Sequence, residues 1–247
     1  MKRLDQALVE RGLFQSREKA KRAIIAGAVR INQQRASKAS DNVKETDTLE
    51  VEAGEKFVSR GGYKLEHALE TFAISVSGSR VLDVGSSTGG FTDCLLQRGA
   101  DQVYAIDVGQ GQLAWKLRQD PRVVVMEKTN ARDLSHGHFP TPFVPLDFAV
   151  IDCSFISLKK ILPPVVALVR PLGSIVALIK PQFEAGKAEA DRGAGVIRDP
   201  VIHARILREL EEFVVTLPQL HWKRSTESPL LGPAGNKEFL VLIEKRS

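Results

Sequence analysis

The order of apolar segments predicts an α/β protein: a doubly wound, mostly parallel sheet preceded by a small α+β module. Three observations carry this. From Tyr63 onward, short apolar runs of strand type alternate with stretches of helical period. Before that point the chain has two short helical faces, two short alternating strands and most of the local basic charge. At 247 residues and 43% hydrophobic content, it is long enough to build a core for each part.

In the first module, Leu4, Ala7 and Leu8 give a helical face closed by Gly12. Ser16 caps a second helix whose apolar side is Ala20, Ala23 and Ile24, and Gly27 follows it in the C′ position. Arg17 and Lys21 are four apart and share a face, with Arg22 beside them. "AVRINQQ" alternates Val29 and Ile31 inward, and "DTLEVEAG" offers a second strand through Leu49 and Val51.

In the second part, Leu65, Ala68, Leu69 and Phe72 mark a first helix. Then come "RVLDV", a helix near 90–98, "QVYAID", a helix near 111–118, "RVVVM" and "LDFAVID". A helix near 157–169, "SIVALIK", a helix near 200–216 and a last strand "EFLVLIE" complete the series. Residues 181–199 are polar, glycine-rich and long for a loop, which points to a functional or a disordered segment. The predicted boundaries are 1–57 for the first domain, 58–62 for a linker and 63–247 for the second domain.

Composition excludes several classes. The N-terminus "MKRLDQALVERGL" has acids where a signal peptide needs an apolar core, so a cytoplasmic protein is expected. The most apolar region, 161–180, is interrupted by Pro163, Pro164, Arg170, Pro171 and Gly173, so it reads as a buried helix and strand rather than a membrane span. Cys94 and Cys153 lack metal spacing and are expected to be reduced. His136 and His138 have no third ligand nearby in sequence, so no metal is expected. Trp115 and Trp222 are expected to pack. The net charge of +5 is uneven. Residues 1–38 hold ten Lys or Arg against Asp5, Glu10 and Glu18, a local +7 that leaves −2 for the rest. A basic head on a near-neutral body points to a polyanion-binding module, the alternative being a solvated charged surface.

The stretch "VLDVGSSTGGFTD" sits at the end of the first strand of the large sheet, where open α/β sheets bind ligands. It is not a P-loop, since no Gly-Lys-Ser/Thr follows, and its glycine spacing is not that of the dinucleotide fingerprint. Asp83 offers a carboxylate to an ammonium group. Gly85 and Gly89 are expected to let the backbone approach a nucleoside. Asp107, ending the second strand, can accept both hydroxyls of a ribose. An amine, a ribose and no phosphate describe S-adenosylmethionine. The expected contacts are Asp83, Gly85, Ser87, Thr88, Gly89, Gly90, Phe91, Asp107, Val108 and Asn130.

Chemistry needs groups at the same rim. Asp152 follows "FAVI" and Lys180 ends "IVALI", both where apolar strands run out. Lys64 near the start of the first helix and Glu238 at the start of the last strand can complete a group of two lysines and two acids.

The motifs "SRGGYKL", "DVGSSTGGFTD", "IDCSFISL", "LIKPQFE" and "GNKEFLVLIE", in this order, closely resemble the TlyA-type proteins, often labelled hemolysins. Their catalytic half is similar to FtsJ-type ribosomal RNA 2′-O-methyltransferases, of the Rossmann-like class I methyltransferase fold. The resemblance spans essentially the whole chain. The basic head resembles the RNA-binding fold of small-subunit ribosomal protein four. The family's Lys-Asp-Lys-Glu tetrad falls on Lys64, Asp152, Lys180 and Glu238. The resemblance implies methyl transfer from S-adenosylmethionine to a ribose 2′-hydroxyl, of cytidine, in ribosomal RNA or a ribosomal subunit. The short C-terminus leans toward the large subunit. Arg3, Arg17, Lys21, Arg22 and Arg60 are the expected RNA contacts.

The chemistry suits that group. A ribose hydroxyl must lose its proton as it attacks a methyl group. A lysine amine takes a proton only when neutral, and a nearby cation or desolvation favours the neutral form. Lys180 is therefore expected as the base, Lys64 as the neighbouring cation, and Asp152 and Glu238 as the groups that orient the amines. The alternatives are a membrane-active hemolysin, for which no amphipathic or spanning segment stands out, and a catalytically inactive RNA-binding protein. The sequence leaves the oligomeric state open.

Overall fold

In the computed structural model, which describes residues 1–52, 55–186, 189 and 193–247, the chain divides after Lys56 into two units with separate cores. In the first, Met1–Lys56, strand β1 (Lys2–Arg3) leads into helix α1 (Leu4–Glu10), followed by α2 (Arg17–Ile25). The Ser16 hydroxyl accepts from the Lys19 amide, and Gly27 takes φ +73°, as its C′ position requires. Leu4, Leu8, Ala20 and Ile24 bury the facing sides of the helices against Val29 and Val43. Two small antiparallel sheets complete the unit. One pairs β1 with β4 (Asn42–Val43). The other has the order β3-β2-β5, from Gln34–Arg35, Val29–Ile31 and Leu49–Val51.

The second unit, Phe57–Ser247, is built on a seven-stranded sheet of order β11-β12-β10-β9-β6-β7-β8. Strands β6 (Arg80–Val84), β7 (Gln102–Ile106), β8 (Val123–Met126), β9 (Leu146–Ile151) and β10 (Val169–Ile179) run parallel. β12 (Phe239–Lys245) is antiparallel between β10 and the edge strand β11 (Leu220–Glu227). Strand residues alternate between two buried faces. Val81, Val103, Val150 and Leu240 pack with α3 (Gly61–Thr71) and α4 (Gly90–Gln97). Leu82, Ile106, Ile151 and Val241 pack with α6 (Leu158–Leu168) and α8 (Pro200–Val215). Two shorter helices, α5 (Trp115–Arg118) and α7 (Pro181–Glu184), lie in the connections.

The predicted α/β order therefore holds, with several differences. β11 was not expected. It is a mostly exposed edge strand, so it carries no apolar run to announce it. Residues 58–62, expected as a linker, belong to the second unit: the Val58 amide donates to Asp93, and α3 begins at Gly61. Trp222 packs against the core, but Trp115 is 74% exposed and is not a packing residue. Of the expected loop 181–199, Pro181–Glu184 is helical, while residues 187, 188 and 190–192 lie outside the described residues.

Candidate active site

The register of the sheet brings the predicted residues to one rim. Val84 pairs with both Ile106 and Ile151, Ala177 pairs with Ile151, and Ile179 pairs with Phe239. Gly85, Asp107, Asp152 and Lys180 each follow a strand at its carboxyl end. Glu238 precedes β12, and because β12 is antiparallel its start lies at that same rim. The crevice is the one expected where β6 has neighbours on both sides and the strand order reverses.

Two adjoining cavities open there. One, of about 750 Å³, is lined by all four tetrad residues, with Ser86, Phe91 and Arg60 among its other walls. The second, of about 1300 Å³, is lined by Asp107, Val108, Gln112, Asn130 and Arg132. Gly85, Ser87, Asp152, Ser154 and Phe155 line both, so the two are continuous.

The tetrad forms two ion pairs. Lys64, 6% exposed on α3, pairs with Glu238, 1% exposed. Lys180 Nζ lies 2.6 Å from Asp152 Oδ1, at an angle outside hydrogen bonding, and donates to Ser154 Oγ at 2.9 Å. Glu238 Oε1 has no hydrogen-bond partner, and a Cβ on Gly232 would come within 2.5 Å of it, so a glycine is needed where that loop passes the carboxylate.

Asp107 is fixed by its own loop and by the loop after β6. Oδ2 accepts from the Ser87 amide at 2.8 Å, and Oδ1 from the Gly109 amide at 2.7 Å. Each oxygen keeps a lone pair, and the residue lines the larger cavity. Val108, 71% exposed, and Asn130 lie on the same cavity wall. Thr88, Gly90 and Phe91 line the smaller one.

Asp83 and Gly89 are placed differently from expectation. Asp83 is fully buried and lines neither cavity; its Oδ2 accepts from the Thr92 hydroxyl at 2.6 Å, while Oδ1 has no partner. Burial pushes its carboxyl up to about 7, against the pull of the Thr92 hydrogen bond. It stands beneath the crevice rather than facing it. Gly85 and Gly89 have φ of +85° and +97°. A Cβ on Gly85 would meet the Asp152 carbonyl at 2.6 Å, and one on Gly89 would meet Leu117 at 2.2 Å. Positive φ and close packing already call for glycine at both positions.

Of the expected RNA contacts, Arg60 is exposed at the mouth of the smaller cavity. Arg3, Arg17, Lys21 and Arg22 lie in the first unit. Arg3 and Arg17 both pair with Asp5, Lys21 pairs with Glu18 at 3.4 Å, and Arg22 is exposed.

Two further residues belong to the site. Ser154 holds Lys180 from the loop after β9. Phe155 beside it is 90% exposed, has φ +63°, and leans on Phe183 with ring centroids 5.0 Å apart. A bulky residue in left-handed backbone with its ring in solvent is costly unless something uses it. Both lie within "IDCSFISL", but nothing in their spacing marks them. Cys153, by contrast, is no nucleophile: burial pushes its thiol up to about 12. His138 bonds Ser135, and His136 stacks on Phe143. Among the described residues no group of three or more His, Cys, Asp or Glu is placed to hold a metal, and no helix is long and apolar enough to cross a membrane.

Comparison with known proteins gives two family matches. The FtsJ-like methyltransferase model matches residues 57–245, and the S4 domain model matches residues 2–49. A candidate rRNA methyltransferase of Bacillus subtilis is 50% identical over 97% of this chain and 84% of its own length. The 16S/23S rRNA (cytidine-2′-O)-methyltransferase TlyA of Mycobacterium tuberculosis is 46% identical over 99% of this chain and 90% of its own length. A solved structure from Streptococcus thermophilus, described as a candidate hemolysin, superposes with a TM-score of 0.74 at 44% identity, covering 100% of this chain and 89% of that one.

Proposed function

The chain belongs to the FtsJ-like methyltransferases, in the TlyA-type branch that carries an S4 domain ahead of the catalytic domain, and from that membership we propose that it methylates the ribose 2′-hydroxyl of cytidine in ribosomal RNA, using S-adenosylmethionine. The observation that carries this reading is the meeting of two lysine–carboxylate pairs at one sheet rim, in a cavity continuous with the Asp107 crevice.

The residues present fit the cofactor. Asp107 is held by two backbone amides with lone pairs to spare, which suits a ribose diol. Val108 offers an apolar wall for a purine, and Asn130 a polar edge. When bound, S-adenosylmethionine supplies an electrophilic methyl group on its sulfonium. The rest is the work of this chain. The cavity is roomy enough for a nucleotide to enter beside the tetrad. Phe155 presents an exposed ring on which a base drawn out of RNA can stack. Lys180 Nζ, in its neutral form, takes the hydroxyl proton as the oxygen attacks. Asp152 and Ser154 hold that amine in place, and Glu238 holds Lys64. The S4-type unit, with Arg60, takes the RNA backbone. The protein acts in the cytoplasm, where ribosomal subunits assemble.

The direct test is incubation with radiolabelled S-adenosylmethionine and ribosomal subunits of both sizes, followed by nucleoside digestion. The expected product is 2′-O-methylcytidine, and the labelled subunit identifies the target. Label only on a base, or none on either subunit or on free rRNA, would refute the reading. A narrower expectation concerns Asp107→Ala, which should weaken S-adenosylmethionine binding by roughly 1–3 kcal/mol, because two hydrogen bonds to a charged acceptor are removed. Calorimetry showing unchanged affinity would remove Asp107 from the cofactor site.

A further inference from the structure

The chemistry above uses nothing inside the N-terminal unit, yet that unit holds a carboxylate with no access to solvent. Asp5, in the first turn of α1, is 0% exposed. Two guanidiniums from different elements converge on it. Arg3, from β1, places Nε 3.1 Å from Oδ1 and Nη2 3.4 Å from Oδ2. Arg17, opening α2, places Nη2 2.8 Å and Nε 3.3 Å from Oδ2. Both arginine side chains nevertheless stay nearly half exposed, at 44% and 49%.

The geometry is selective. Each guanidinium gives Asp5 the same edge, Nε and Nη2, which leaves the Nη1 side of each fork free of the carboxylate. The Arg3 hydrogen bonds, joined by those of Arg17, hold the Asp5 carboxyl down at about 2 despite its burial. It is therefore ionised throughout the neutral range.

For a module that binds a polyanion this arrangement looks wasteful, because a buried negative charge cancels one of two cations. It becomes sensible if geometry is worth more than charge. Free arginines lose rotamer freedom when they clamp a phosphate, whereas arginines already fixed do not. Among the described residues Lys21 and Arg22 have no comparable anchor: Lys21 pairs with exposed Glu18, and Arg22 has no ion pair.

We propose that Asp5 is a positioning residue that holds the Arg3 and Arg17 forks side by side as a preformed subsite for RNA phosphate. This rests on reading the N-terminal unit as RNA-binding, and the two ideas fail separately. The full-length protein is titrated with in-vitro-transcribed large-subunit rRNA over a salt series, and folding is followed by thermal melting. The double variant Arg3→Ala/Arg17→Ala tests the reading. It should bind more weakly with a flatter salt slope, and unchanged binding would show that these arginines do not touch RNA.

Asp5→Asn tests the proposal. It removes a negative charge, so a surface acting only through net charge would bind RNA more tightly. A positioning role predicts the opposite sign, a loss of about tenfold. Equal or tighter binding by folded Asp5→Asn, with the double variant impaired, overturns the proposal. If Asp5→Asn does not melt cooperatively, the wild-type protein decides. Arginine Nε–H signals in nitrogen-15 NMR, assigned with Arg3→Lys and Arg17→Lys, should be slow to exchange and should shift on adding RNA. Signals that exchange as fast as those of Arg22 would equally overturn it.

Discussion

Lys180→Ala is expected to abolish methyl transfer and to leave S-adenosylmethionine binding within about twofold of wild type, because the proposed base acts on the nucleophile and not on the donor. The structure puts Lys180 on the smaller cavity, one strand end away from Asp152 and clear of the Asp107 wall. The expected loss in rate is about 10²–10⁴-fold, the usual contribution of a positioned general base. Its partners sharpen the test. Asp152 and Ser154 fix the amine, so an amine that serves only as a hydrogen-bond donor would look the same in the resting enzyme. Lys180→Arg separates the two roles. Arginine keeps the charge and the donors but cannot take a proton. A base predicts that Lys180→Arg is as inactive as Lys180→Ala. Substantial turnover by Lys180→Arg, measured in single-turnover assays with cofactor binding confirmed by calorimetry, would make Lys180 an orienting group instead.

The rim was legible because apolar strands end abruptly in charge. "FAVI" runs into Asp152 and "IVALI" into Lys180, and a parallel sheet aligns such ends without help from any group distant in sequence. Glu238 was legible for the converse reason, since it opens the last apolar run. What the pattern hides is which way a loop faces. Asp83 and Asp107 both sit at or near strand ends, yet one is sealed beneath the crevice with Thr92 and the other lines it. Gly85 and Gly89 stand out in the sequence, but the crowding around them comes from the Asp152 carbonyl and Leu117, residues far away in the chain. Phe155 left no trace because an exposed aromatic breaks the rule that apolar residues point inward. The same holds for Trp115. The edge strand β11 was missed because only one end of it is buried.

Charge shows the same limit and bears on the second large effect. The +7 over residues 1–38 is partly cancelled by the strands that complete the unit. Lys44 stands against Asp41, Glu45, Asp47, Glu50, Glu52 and Glu55, which brings residues 1–55 to +2. Several cations are also engaged internally: Arg30 pairs with Glu52, Lys2 with Glu10, and Arg11 donates to the carbonyls of Lys44, Glu45 and Asp47. The head is therefore expected to bind RNA through one cationic face and not through its total charge. Deletion of residues 1–55 is expected to leave a folded, S-adenosylmethionine-binding domain, because the second unit has its own core beginning at Phe57, and among the described residues both cavities are lined only by ones after Val58. The truncated protein should bind rRNA at least tenfold more weakly at physiological salt and methylate it poorly. Its salt slope should flatten by just under one unit for each duplex phosphate that the deleted side chains would have neutralised. If net charge were the cause, a deletion that removes only +2 would change the slope little. If the face is the cause, the change should match the number of arginines and lysines that meet phosphate, and Arg3→Ala/Arg17→Ala in the full chain should reproduce part of it. Equal slopes and equal affinities for full-length and truncated protein, with cofactor binding intact in both, would place the RNA anchor on the catalytic domain, with Arg60 at its cavity mouth the first residue to test.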